Sequence, residues 1–184
     1  MDLYDKTKVG KKIADGGDRK VYMYDIDKVI KFSSLSFFSS KKLHIKYTHD
    51  YLVCKNYLGN YIVEKTDVSD RATGKSIEIQ PFIQGEALQK KHTTNPRVIS
   101  QLRDIVKALD KMKNDGISLI DLVGNIGMIK PCLSNIIVDP FGNLRIIDAV
   151  LLEGKTVRPL GIILEVLAPL ILARQNYLLR QFSK

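Results

Sequence analysis

Between Ser134 and Leu152 the chain reads SNIIVDPFGNLRIIDAVLL, and this run restricts the fold more than any other. Ile136, Ile137 and Val138 form a β-branched strand, and Asp139-Pro140-Phe141-Gly142 has the residues of a tight turn. Leu144, Ile146 and Ile147 then make a second strand that stops at Asp148. Antiparallel pairing about Pro140-Phe141 carries Asn135, which enters the first strand, and Asp148, which leaves the second, to the same rim. An amide oxygen and a carboxylate placed together are hard donors of the kind Mg2+ takes, usually alongside phosphate oxygens rather than in a full protein cage.

The remaining composition limits what can surround this hairpin. With 184 residues, 45% of them hydrophobic, the chain can bury one sizeable core or two small lobes that share a cleft. No apolar run approaches the roughly 18 residues of a membrane span, since Arg158 and Glu165 break the C-terminal apolar region. The opening MDLYDKTK has no signal-peptide pattern, so a cytoplasmic address is expected. Cys54 and Cys132 stand far apart without metal-ligand spacing and read as buried thiols. The formal charge of +9 raises nucleic acid as a partner. However, Lys6, Lys8, Lys11, Lys12, Arg19 and Lys20 are interspersed with Asp, and no basic stripe with aromatics forms, so a solvated surface is the better reading.

Taken in order, Thr7 to Ile13, Lys20 to Tyr24 and Lys28 to Phe32 read as an antiparallel meander, with Gly16 and Gly17 in its first turn. Lys31 shares a strand face with Val29 and Ser33. Lys41 to Leu58 carries Leu43, Tyr47, Tyr51, Cys54 and Leu58 at helical steps, and Gly59 is its stop. Asp50 is the sole acid between Lys31 and Val63. Tyr61 to Val68 and Ser76 to Gln80 read as a fourth and a fifth strand, followed by the loop PFIQGEAL, Pro81 to Leu88. Pro96 opens a long amphipathic helix through Val98, Leu102, Ile105, Leu109 and Met112 that ends near Asn114-Asp115-Gly116. Ile117 to Pro131 holds one acid, Asp121, fourteen positions before Asn135. From the residues alone, Asp121 reads as the cap of a helical turn through Val123 to Met128. A last helix runs from about Pro159 to Gln181 with Pro169 inside it.

NIIVD followed by LRIID resembles the catalytic-loop Asn and the metal-binding Asp of the protein-kinase-like superfamily, and VIKF is similar to the VAIK strand of that superfamily. The resemblance implies an α+β fold of two lobes, a five-stranded antiparallel sheet with one helix over 1–83 and a reduced, mainly helical lobe over 84–184. It implies ATP and Mg2+ as ligands. Gly16 and Gly17 would lie over the phosphates, Lys31 would pair with the α- and β-phosphates, and Asn135 and Asp148 would hold the metal. At the place of the helix glutamate that pairs with the strand lysine the only acid is Asp50, one methylene shorter, so either that helix packs closer or Lys31 lacks this ion pair. Gln80 would guard the back of the cleft, with Phe82 and Ile83 beside the base.

The departure from the family lies at the HRD position. Five residues before Asn135 stands Lys130, so Asp121 can serve as general base only if Leu122 to Leu133 loops out as an insertion. The expected function is an ATP- and Mg2+-binding kinase-like protein that transfers a phosphoryl group to a protein or small-molecule hydroxyl. A pseudokinase that binds nucleotide without turnover is the alternative, and a basic nucleic-acid-binding module is a third reading that lacks a motif.

Overall fold

The computed structural model describes residues 4–15, 19–33, 41–69, 76–152 and 160–184. These residues divide into two compact units, Met1–Thr48 with Val63–Phe82, and His49–Ile62 with Ile83–Lys184. The expected fold class is the one observed, and the chain crosses between the units after Thr48, after Ile62 and finally after Phe82.

The first unit is built on a five-stranded antiparallel sheet of order β1-β2-β3-β5-β4. Its strands are β1 (Val9–Asp15), β2 (Arg19–Tyr24), β3 (Lys28–Ser33), β4 (Thr66–Asp67) and β5 (Ile77–Pro81). Alternation separates its two faces. One face gathers Tyr24, Ile30 and Ile77 into a small core, with Tyr22, Phe32 and Ile79 packed against it. Phe32 meets Tyr4 and Tyr22 edge to face, with ring centroids 5.6 and 5.7 Å away. The opposite face carries Arg19, Lys31, Glu78 and Gln80, all of them buried.

Two expected strands shift. Lys6–Lys8 form a 3-10 turn capped by Asp5, whose side chain accepts from Thr7 N, so β1 begins only at Val9. The strand expected over Tyr61 to Val68 shrinks to Thr66–Asp67. Gly59–Tyr61 are a 3-10 turn, and Ile62 instead forms a parallel bridge to Ile146 in the second unit, to which both residues belong. Helix α1 (Lys41–Leu58) has the expected bounds, and its residues from His49 onward belong to the second unit, with Cys54 and Leu58 in that unit's core.

In the second unit, α2 (Pro96–Asn114) starts where Asn95 accepts from Arg97 N and Pro96 occupies the first turn, and it buries Val98, Leu102, Ile105 and Met112. The hairpin consists of β8 (Cys132–Val138) and β9 (Leu144–Ile146), in the register Ile136↔Ile146 and Val138↔Leu144. Its turn is closed by Asp139, whose Oδ1 accepts from Phe141 N at 2.9 Å and Asn143 N at 2.7 Å, while Gly142 takes φ 76. Gln101 of α2 then grips the turn, donating to Gly142 O at 2.8 Å and accepting from Leu144 N at 3.1 Å. Short strands unseen in the sequence complete the unit. They are β6 (Glu86–Gln89), paired with β8, and β7 (Ser118–Ile120), paired with β10 (Val150–Leu152). The loop expected over Pro81 to Leu88 therefore ends as a strand. Helices α3 (Gly124–Ile129) and α4 (Leu160–Phe182) finish the unit, and Pro169 lies inside α4. Both cysteines are buried and outside any disulfide, and burial pushes the Cys132 thiol up. Among the described residues no helix is long and apolar enough to cross a membrane.

Candidate functional site

Backbone hydrogen bonds in the second unit bring Asp121, Asn135 and Asp148 together. Asn135 N donates to Leu122 O at 3.1 Å and Ser134 N to Val123 O at 3.2 Å, so the segment after β7 is laced to the start of the hairpin. The Asn135 side chain completes this lacing, with Nδ2 donating to the Asp121 carbonyl oxygen at 2.5 Å. Between these contacts the chain forms α3 and returns into β8, while Leu122, Val123 and Leu133 stay buried. On the other side, Ile147 N donates to Asn135 O at 3.0 Å, one residue before Asp148. The pairing of β7 with β10 has Ile120 opposite Val150, so Asp121 and Asp148 leave and enter that ladder at the same end.

Local conformation explains how the chain makes this junction. Asp121 sits in the left-handed region at φ 75, which Asp tolerates better than most residues. Gly124 follows at φ 55, and a Cβ there would lie 2.3 Å from Ser134 Oγ and 3.3 Å from the Asn135 amide. That hydroxyl is itself engaged, donating to Val123 O at 2.6 Å. The cap assigned to Asp121 from the sequence is corrected here. The N-cap of α3 is Val123, which makes no side-chain capping bond, because Asp121 lies too early in the loop.

Helix α4 holds the same loop from behind. Gln175, only 2% exposed, accepts from Leu122 N and donates to Leu119 O, both at 3.0 Å, and so brackets Asp121. Arg174 donates to Gly127 O at 3.1 Å and Lys130 O at 3.3 Å, fastening the insertion. Asp148 Oδ1 accepts from Ala149 N at 3.1 Å. Asp50 is buried in this unit, where its Oδ2 accepts from Leu151 N at 3.1 Å, so it anchors β10 just past Asp148.

A divalent cation fits this donor set in one way. Among the described residues no group of three or more His, Cys, Asp or Glu side chains is placed to hold a metal. A cation held by Asn135 and Asp148 would rest on few protein oxygens plus those of its ligand, as Mg2+ does. Commitment of Asn135 Nδ2 to Asp121 leaves Oδ1 as the amide atom for such a cation.

In the first unit, Lys31 is 6% exposed and stands opposite Glu78 in the β3–β5 register, with Val29 opposite Gln80. Glu78 accepts from Arg19 NH1 at 2.5 Å and from Lys65 Nζ at 2.6 Å. Burial works against its charge, yet Arg19, Lys65 and Lys31 together hold its carboxyl down at about 2. Gln80 is buried, and Phe82, the last residue of the unit, is 45% exposed with its N–H donating to Asp27 O at 2.7 Å. Ile83 opens the second unit. Gly16 and Gly17 lie outside the described residues. Sequence reasoning passed over Glu78 and Gln175. Alternation in IEIQP does put Glu78 on the face of Gln80, but nothing local marks a strand carboxylate as buried.

No family model matches the chain, and no curated protein matches it in sequence. Solved structures do. The chain is similar to the Lpg2603 kinase of Legionella pneumophila, solved bound to IP6, with a TM-score of 0.59 and 18% identity over 92% of this chain and 58% of that one. It is also similar to the PknI kinase domain of Mycobacterium tuberculosis, with a TM-score of 0.46 and 13% identity over 76% and 57% of the two chains. A third match is the PK-1 kinase of Cydia pomonella granulovirus, with a TM-score of 0.48 and 14% identity over 83% and 56%. The chain has a protein-kinase-like fold, and it spans a little over half the length of these kinases.

Proposed function

We propose that the protein binds ATP with Mg2+ and transfers a phosphoryl group to a hydroxyl acceptor on a protein or small molecule. The observation that carries this reading is the hydrogen bond from Asn135 Nδ2 to the backbone oxygen of Asp121, which ties the residue of the one acid in the preceding loop to the start of the hairpin across thirteen intervening residues. The kinase-like fold supports it.

In this reading Lys31 meets the α- and β-phosphates, Gln80, Phe82 and Ile83 line the base, and Gly16 and Gly17 cover the phosphates. Asn135 Oδ1 and the Asp148 carboxylate hold the cation, which when bound neutralises charge on the phosphate oxygens. Asp121 orients the acceptor hydroxyl and takes its proton. Asp50 acts on this site by anchoring β10 beside Asp148.

The insertion between Asp121 and Asn135 favours a second reading, nucleotide binding without turnover. A thermal-shift series decides the first step. A ligand that binds only the folded state stabilises it by RT ln(1 + [L]/Kd), so ATP with Mg2+ raises the melting temperature. A shift with DNA and none with ATP would replace this function by the basic-module reading. A shift with ATP but no transfer from radiolabelled ATP to broad acceptor pools would select the second reading.

A further inference from the structure

The second unit carries an apolar surface that the proposed chemistry does not use. Helix α4 buries one face through Ala168, Gln175, Leu178, Leu179 and Phe182, yet its outward face is apolar as well. Leu167, Leu170 and Tyr177 are exposed there at steps of three and seven residues, so they share one side of the helix. Arg174, in the same row, donates to Gly127 O and Lys130 O and so joins α3 to this face. On α3, Ile129 is 86% exposed, and Ile126, like Leu170 and Tyr177, is more than half exposed. A helix that is apolar on its outer side as well as its inner one presents a surface for something to cover.

The charge of this surface has one sign. From Leu122 to Val138 and from Val166 to Lys184 the sequence contains no Asp or Glu, whereas Lys130, Arg174 and Arg180 lie within these stretches. Among the described residues none of these three cations pairs with a carboxylate. Arg174 donates to backbone carbonyls and stands over the Tyr177 ring, 5.9 Å from Cζ to the centroid. What covers the face must therefore offer negative charge and apolar bulk together.

We propose that the α3 and α4 face is a peripheral docking surface for an anionic phospholipid bilayer. Ile126, Ile129, Leu170 and Tyr177 enter the headgroup layer, and Lys130 and Arg180 meet lipid phosphates. A bilayer presents phosphates above hydrocarbon over its whole area, so it matches both properties of the face without a shaped pocket. Tyrosine suits that boundary, because its ring is apolar and its hydroxyl polar. The proposal does not depend on the nucleotide reading.

The chain contains no tryptophan, so Tyr177→Trp places a single reporter on this face. Ile26→Trp, at the exposed turn between β2 and β3, is the control. Phosphatidylcholine vesicles with and without phosphatidylserine are added to each variant of the whole chain. The expected result is a blue-shifted emission from Tyr177→Trp, quenched by brominated acyl chains, on the anionic vesicles alone, with Ile26→Trp unchanged. Co-sedimentation gives the magnitudes. Ile129→Asp should lower partitioning about tenfold or more and Lys130→Ala about fivefold. Lys11→Ala, an exposed cation on β1, should change it by less than about twofold, since remote charges are screened. A Lys11→Ala loss equal to that of Lys130→Ala would mean attraction by net charge alone and would overturn the proposal. Wild type left in solution by both kinds of vesicle would overturn it too. A Tyr177→Trp blue shift that grows with protein concentration and needs no lipid would assign the face to contact between copies. One seen with an acidic amphipathic peptide and not with vesicles would assign it to a protein. Either result would overturn the proposal.

Discussion

Asn135 Nδ2 donates to the carbonyl oxygen of Asp121 at 2.5 Å, so the amide that opens the hairpin also fixes the backbone of the only acid in the preceding loop. This bond ties the proposed metal donor to the proposed base, with α3 and its return lying between them in the chain and fastened by Arg174.

The first prediction concerns Asp121. Removing a general base lowers rate by about 10²–10⁴, while the backbone carbonyl that Asn135 grips is retained in Asp121→Asn. Phosphotransfer from radiolabelled ATP should fall at least about a hundredfold with the ATP-induced thermal shift retained. Undiminished transfer would remove Asp121 from the chemistry.

Gly124 tests the junction itself. An alanine at φ 55 carries a left-handed penalty of about 1–2 kcal/mol, and its Cβ would force Ser134 Oγ away from Val123 O, losing about 1 kcal/mol more. Urea unfolding should show Gly124→Ala less stable by roughly 2–3 kcal/mol. In a Ser134→Ala background the added loss should be smaller, since the clash at 2.3 Å is with that hydroxyl; the same loss in both backgrounds would contradict the described packing.

Gln175 tests the support from α4. In Gln175→Leu the Leu122 N–H and the Leu119 carbonyl lose their bracketing partner in the core, at about 1–3 kcal/mol for each group left unsatisfied. The expected result is a clear drop in unfolding free energy with faster hydrogen exchange at Leu122. Unchanged exchange there would show that the bracket does not hold the loop.

Acid stability follows from Glu78. Its carboxyl is held at about 2 in the folded unit against an ordinary 4.5, so the folded state binds its proton later than the unfolded chain does. A depressed value gives stabilisation that is complete above about 4.5 and is lost as pH falls toward about 2. Urea midpoints measured across that window should decline more steeply in wild type than in Glu78→Gln. Equal slopes would show that the carboxylate is not held down.

The sequence disclosed long and periodic elements well. Helices α1 and α2 appear with the expected bounds because apolar residues at helical steps and start and stop residues such as Pro96 and Gly59 act locally. The hairpin was legible for the same reason, with β-branched strands and a turn set by Asp139. Strands β6, β7 and β10 were not, since three or four residues leave no period to read and their pairing partners lie far off in the chain. Glu78 and Gln175 were invisible because burial of a polar side chain is decided by tertiary neighbours, here Arg19 and Lys65 for one and the backbone of Leu119 and Leu122 for the other.

The most direct test of the account is calorimetric titration of ATP with and without Mg2+ into wild type, Asn135→Ala, Asp148→Ala and Lys31→Ala. If Asn135 and Asp148 hold the cation and Lys31 the phosphates, Asn135→Ala and Asp148→Ala weaken binding in Mg2+ yet leave metal-free binding nearly unchanged, whereas Lys31→Ala weakens both. Equal losses with and without metal in Asn135→Ala would show that this residue only closes the hairpin, and full affinity in all three variants would contradict the nucleotide site.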